Sequence, residues 1–171
     1  MNFLFNSVDV YINIASNEGF GLGSLEALTV GTPIVVNVTG GLQDQCGFKK
    51  DGKYLTAEDY VELGSNHKGE YKEHGEWVEP VFPSNISLCG SPMTPYIFDD
   101  RASYEDAGDA LGNWYHAGTE ERERCGELGR QFVLGNDAKM TSKYLGDAFI
   151  EAIDTTFEKW KPRERYTMEV I

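Results

Sequence analysis

Cysteine is scarce in this sequence: Cys46, Cys89 and Cys125 are its only three, they lie far apart, and none forms a C-x-x-C pair. Neither a disulfide framework nor a zinc site is indicated, and buried free thiols are the expectation. Histidine is equally sparse. His67, His74 and His116 are scattered, and the first two are not one helical turn apart, so no metal site is expected. Long apolar runs are missing as well. None approaches the roughly 20 residues that span a bilayer, and the opening residues 1–5 carry no basic stretch leading into an apolar core. Positive charge is in deficit, with 15 Lys and Arg against 28 Asp and Glu for a net charge of -13. A surface of that sign repels the phosphates of nucleic acids and anionic lipids. The expectation is a cytoplasmic protein with no nucleic-acid partner and no membrane span.

What is present suffices for one core: 171 residues, 40% of them hydrophobic, with nine Phe, nine Tyr and three Trp. One domain is expected over residues 1–161, followed by a charged tail from Pro162. Residues 8–15, Val-Asp-Val-Tyr-Ile-Asn-Ile-Ala, form a short β-rich run that suits a buried parallel strand. Glycines then interrupt the chain from Ser16 to Gly23. Leu25 and Leu28 mark a short helix from Ser24, Gly31-Thr32-Pro33 ends it, and residues 34–38 read as a second strand. A strand, loop, helix and strand in this order make a parallel crossover. The fold class expected is therefore α/β, a partial Rossmann-like parallel sheet with flanking helices. Ligands of such sheets bind beyond the carboxyl ends of the strands, where the loops at 16–23 and 39–45 would meet.

Residues 46–82 are polar and lack a sustained period, which suggests an irregular insertion. After several prolines, Tyr96-Ile97-Phe98 suggests a third short strand or edge segment. Three helices follow. Ser103 with Asp106 resembles a capping box ahead of Ala107, Leu111 and Trp114, and Cys125, Leu128 and Phe132 form a second stripe. Leu145, Phe149, Ile153, Phe157 and Trp160 form a third. Core packing is the expectation for all three.

The chemistry is concentrated in residues 16–28, Ser-Asn-Glu-Gly-Phe-Gly-Leu-Gly-Ser-Leu-Glu-Ala-Leu, where Glu18 and Glu26 stand with seven residues between them. Glycines at 19, 21 and 23 let a backbone approach a ligand and leave N–H groups unshielded, while the helix from about Ser24 turns its positive end the same way. That combination suits a diphosphate. Glu18 on the loop can accept hydrogen bonds from sugar hydroxyls, and Glu26 in the helix can take a pair from a ribose. Carboxylates suit hydroxyls and repel phosphates, so their place is beside such a cradle, not within it.

These residues resemble the E-x7-E signature of retaining glycosyltransferases of GT-B architecture, family-4 type. The likeness runs through Asp9-Val10-Tyr11, Glu18 to Leu22, Ser24 to Leu28, Gly31-Thr32-Pro33 and Thr39-Gly40-Gly41, and is strong over residues 8–45. It implies part of the C-terminal, donor-binding lobe of a GT-B fold. The implied reaction moves a hexosyl group from a nucleoside diphosphate sugar to an acceptor hydroxyl with retention and without a cofactor or metal. Glu18 resembles the catalytic glutamate that holds the donor sugar, and Glu26 the ribose glutamate. Gly19, Phe20, Gly21, Leu22 and Ser24 resemble the donor-binding loop and helix start, and Gly40 and Gly41 the second glycine pair at the rim. Gly23 departs from the family, which usually has Pro there. The resemblance also implies an acceptor lobe and a basic diphosphate clamp, neither of which precedes Met1. Lys49 and Lys50, the nearest basic residues, read as solvated charges. The expected partners are a nucleotide-sugar donor, an unidentified acceptor and an N-terminal portion supplied in cis or in trans. A non-catalytic sugar-nucleotide-binding module is the alternative; an epimerase has little support from the scattered histidines.

Overall fold

Residues 11–13 and 34–37 lie side by side and point the same way, as the strand, loop, helix and strand pattern requires. The computed structural model describes residues 2–135 and 138–163. Its elements in chain order are α1 (Asn2–Phe5), β1 (Tyr11–Asn13), α2 (Leu22–Thr29), β2 (Ile34–Asn37), α3 (Leu42–Gln45), β3 (Lys49–Lys50) and β4 (Lys53–Tyr54). There follow α4 (Ala57–Leu63), β5 (Val78–Val81), β6 (Asn85–Leu88), β7 (Phe98–Arg101), α5 (Tyr104–Ala117), α6 (Thr119–Leu134) and α7 (Ser142–Lys159). The chain divides into two compact units, Met1–Ala138 and Lys139–Ile171. Among the described residues no helix is long and apolar enough to cross a membrane.

The central sheet has the order β1-β2-β5, and both pairings are parallel. Fold class is therefore α/β, a small parallel sheet flanked by helices, as expected. The first strand is shorter than residues 8–15 because the Asn13 side chain accepts the Ala15 N–H at 3.1 Å and turns the chain out of the ladder. β2 is enclosed along its whole length: Ile34, Val35, Val36 and Asn37 have no exposed surface. Val35 and Val81 pack with Ala107, Ala110, Trp114 and Cys125 in one cluster. The buried positions of α5 are thus Ala107, Ala110 and Trp114, while Leu111, expected in that stripe, is 40% exposed. Ser103 accepts the Asp106 N–H at 3.2 Å, which caps the helix as its sequence suggests. In α6 the buried residues are Cys125, Gly126, Gly129 and Val133, with Leu128 and Phe132 half-buried. The two glycines bring α6 close to α2 and its following turn, since a Cβ on Gly129 would lie 2.7 Å from the Leu28 side chain.

Three expectations need correction. The insertion at 46–82 is not irregular. It carries β3, β4 and α4, with Asn66 fully buried and bonded through its N–H to the Gln43 side chain at 2.9 Å. Its end supplies the third sheet strand, β5, in place of Tyr96-Ile97-Phe98. A proline inside Val78–Val81 hides this strand from a sequence reading, and its position explains the tolerance. Ile34 N–H bonds Trp77 O and Val38 N–H bonds Val81 O, so the odd positions of β5 face β2 and Pro80 turns its missing N–H to the open edge. Phe98 instead opens β7, which pairs antiparallel with β6 in a separate hairpin.

The second correction concerns α7, described by itself. Leu145, Phe149, Ile153, Phe157 and Trp160 do not enter a core: no residue of the helix is buried, and these five are 49–84% exposed. A helical period defines an apolar face, but burial requires an element that covers it. The third is Cys89, which is exposed, whereas Cys46 and Cys125 are buried as expected.

Candidate functional site

The carboxyl ends of β1 and β2 lead into the two glycine loops, and the loops interlock. Gly41 N–H donates to Glu18 O at 3.0 Å, and Thr39 Oγ1 lies 3.4 Å from Ser16 O. A Cβ on Gly41 would lie 2.5 Å from Gly19 O and 2.6 Å from the Phe20 Cα. On Gly40, whose φ is +45°, a Cβ would overlap the Glu18 carbonyl. The space these glycines leave open is thus occupied by the protein's own backbone. Their first task is to let one loop lie on the other. Gly19 alone of the loop glycines has nothing within 4 Å of a built Cβ.

Glu18 stands at this junction, half-buried, and Gly19, Phe20, Leu22, Glu26 and Gly40 are exposed beside it. Gly21, Ser24 and Gly41 are buried. Ser24 points inward: its hydroxyl donates to Gly21 O at 2.9 Å, and Leu25 N–H donates to the same carbonyl at 3.1 Å. Gly21, at φ +86°, is the left-handed N-cap of α2, which starts at Leu22, two residues before the expected Ser24. The helix therefore begins within the loop, and its first free N–H groups belong to Leu22, Gly23 and Ser24.

Several participants are not apparent from the sequence. Tyr11 is one. Its phenol is held above the usual tyrosine range first by burial, then by the negative charges of Glu18 and Glu26, so both carboxylates act on one side chain of β1. A Cβ on Gly23 would overlap the Tyr11 hydroxyl, which accounts for glycine at this position. The hairpin root is another. Asp100 N–H donates to Ser16 O at 3.0 Å, Thr39 donates to the Asp100 carboxylate at 2.8 Å, and Asn37 Nδ2 donates to Ala15 O and Asp100 O, each at 3.0 Å. Asn17 bonds the Asp99 carboxylate. Charge in polar surroundings had concealed these anchors.

Beneath the junction, Gln45 is fully buried and donates through Nε2 to Phe20 O at 2.6 Å and Gly21 O at 3.0 Å. Trp77 Nε1 donates to the Gln45 carbonyl at 2.9 Å, and the Trp77 ring stacks on Phe132 at 4.5 Å. Two cavities of about 300 Å³ lie elsewhere, one lined by Lys49, Tyr54, Trp77 and Phe132 and one by Asp9, Thr32 and Arg122. Neither is lined by Glu18 or Glu26. Lys49 pairs with Glu73 at 3.3 Å and Lys50 lies over the Tyr71 ring, in keeping with their reading as surface charges. Glu76, Glu121 and Cys125 converge within metal-ligand range, but Arg124 already bridges the two carboxylates at 2.6 and 2.7 Å. No protein-family model matches the chain, and no curated protein matches it.

Proposed function

We propose that residues 8–45 form part of the donor site of a retaining glycosyltransferase of GT-B architecture, whose activity needs an N-terminal portion. The observation that carries this reading is the junction itself. Two glycine loops meet at the carboxyl ends of adjacent parallel strands, with Glu18 on one loop and exposed Glu26 on the helix that starts there. A diphosphate would face the free N–H groups of α2, where the helix dipole favours negative charge. Glu26 would hold the ribose hydroxyls and Glu18 those of the transferred hexose. The hexosyl group passes to an acceptor hydroxyl with retention, and the diphosphate leaves toward the helix start. No metal or cofactor enters this reading.

A second reading, a sugar-nucleotide-binding module without catalysis, draws on the basic residues. Lys49 faces Glu73, Lys50 faces Tyr71, and Arg101 pairs with Asp99 at 2.9 Å. Each of the three is already engaged by a neighbouring side chain, and none lies in the two glycine loops.

Calorimetry of the chain with ADP, GDP and UDP tests the donor site shared by both readings. Wild type binds at least one of them. Glu26→Gln weakens that binding about ten- to a hundredfold, by losing a charged hydrogen bond to a hydroxyl pair, while Glu18→Gln leaves it unchanged. Binding of none of the three ends the proposal, and the reverse pattern of losses reverses the two roles. Turnover after addition of an N-terminal lobe separates enzyme from module, and Glu18→Gln then lowers kcat.

A further inference from the structure

The Phe20 carbonyl is held by a residue outside the motif, and the Gly21 carbonyl accepts from that same residue, from the Ser24 hydroxyl and from the Leu25 N–H. Gln45, at the end of α3, has no exposed surface, and its Nε2 donates to Phe20 O and Gly21 O. A trans peptide plane points its C=O and the next N–H in opposite directions. Drawing the carbonyls of 20 and 21 toward Gln45 therefore turns the N–H groups of Gly21, which is buried, and of Leu22, which is exposed, away from it. Among the described residues neither N–H has a hydrogen-bond partner.

The arrangement is costly in a way that packing alone would not require. Among the described residues Gln45 Oε1 is buried and without a hydrogen-bond partner, as is Asn37 Oδ1 of β2. An orphaned buried acceptor destabilises the fold, and an apolar side chain of the same size would avoid it. What an apolar residue could not do is donate two hydrogen bonds to the loop. The Gln45 backbone is itself pinned by Trp77 Nε1, which donates to its carbonyl at 2.9 Å.

We infer that Gln45 is a positioning residue of the anion cradle: it holds the peptide plane at 20–21, and together with Ser24 and Leu25 the plane at 21–22, so that Gly21 and Leu22 present their N–H groups to a diphosphate. The inference rests on the donor-site reading and adds to it a buried residue that touches no ligand. Glu18 and Glu26 address hydroxyls; Gln45 governs the groups that address phosphate.

The test compares wild type with Gln45→Met, which keeps the volume and loses both donated bonds, and with Val133→Ala, a core variant in α6 outside the donor site. Calorimetry with inorganic pyrophosphate and with ADP, GDP and UDP is run well below each melting temperature. The expected result is affinity at least about tenfold weaker in Gln45→Met for pyrophosphate and for the nucleotide wild type prefers, with Val133→Ala unchanged in affinity although less stable. Amide resonances of Gly21 and Leu22 shift on adding pyrophosphate to wild type and not to Gln45→Met. If wild type binds and Gln45→Met binds equally well, the inference is overturned and the donor-site reading stands. If Val133→Ala loses affinity in parallel, the effect is one of stability and the inference is again overturned. If wild type binds neither pyrophosphate nor any nucleotide, the donor-site reading falls and takes the inference with it.

Discussion

β2 and α7 are written with equal clarity and end in opposite states. Ile34, Val35 and Val36 have no exposed surface, whereas the five stripe residues of α7 are 49–84% exposed. The difference lies in what each element meets. β2 has a strand on either side and α5 packed on it, and its neighbouring loops are locked by glycines with no room for a Cβ. No residue of α7 is buried by any neighbour, although its pattern would suit a core. Amphipathic spacing states a demand, and only the rest of the fold determines whether it is met.

The sharpest break of this contrast is a methyl group. Gly41→Ala should cost about 4 kcal/mol or prevent folding, because the neighbours at 2.5 and 2.6 Å are backbone atoms that cannot step aside. Urea denaturation followed by tryptophan fluorescence measures it, and a loss under about 1 kcal/mol would show that the loops are not interlocked. Truncation is the next largest. Leu28→Ala, at a site with no exposed surface, should cost about 3 kcal/mol, and Ile153→Ala in α7 should stay within about 0.5 kcal/mol. Equal costs would mean that the α7 stripe is covered in solution.

A graded effect comes with alkali. Burial pushes the Cys125 thiol up to about 11 from an ordinary 9.0, and the Cys46 thiol is raised by the same cause. The folded state keeps protons that the unfolded chain releases. Stability from Cys125 is therefore complete below pH 9 and is lost as pH rises to about 11. Cys125→Ala should flatten that decline, and an unchanged slope between pH 8.5 and 10.5 in urea titrations would contradict it. The smallest change has the opposite sign. Gly146 in α7 has nothing within 4 Å of a built Cβ, so Gly146→Ala should stabilise the helix by about 0.5–1 kcal/mol, read as added helicity by circular dichroism.

Residues 8–45 were the legible part. The parallel pair, the crossover helix and the meeting of two loops follow from alternating apolar and glycine-rich stretches, because local conformation there agrees with the final packing. β5 was hidden, since Pro80 argues against a strand unless the strand is known to lie at an edge. Tyr11 and Gln45 were hidden for a different reason. Their roles depend on distances across 12 and about 25 residues of chain, to Gly23 and to Phe20, which no local pattern encodes. Ser24 and Gly41 were legible as parts of the motif, but their burial shows them bracing the loop from inside.

Pro80 has a consequence for how the sheet can grow. A new strand joining beside β5 would need the N–H that proline lacks, at the very position that faces outward. β1 carries no such stop. Its exposed Ile12 and the paired register of Tyr11, Ile12 and Asn13 leave a templating edge on that side alone. The sheet is therefore asymmetric toward strand addition, with the edge at β1 better fitted to template another strand than the edge at β5.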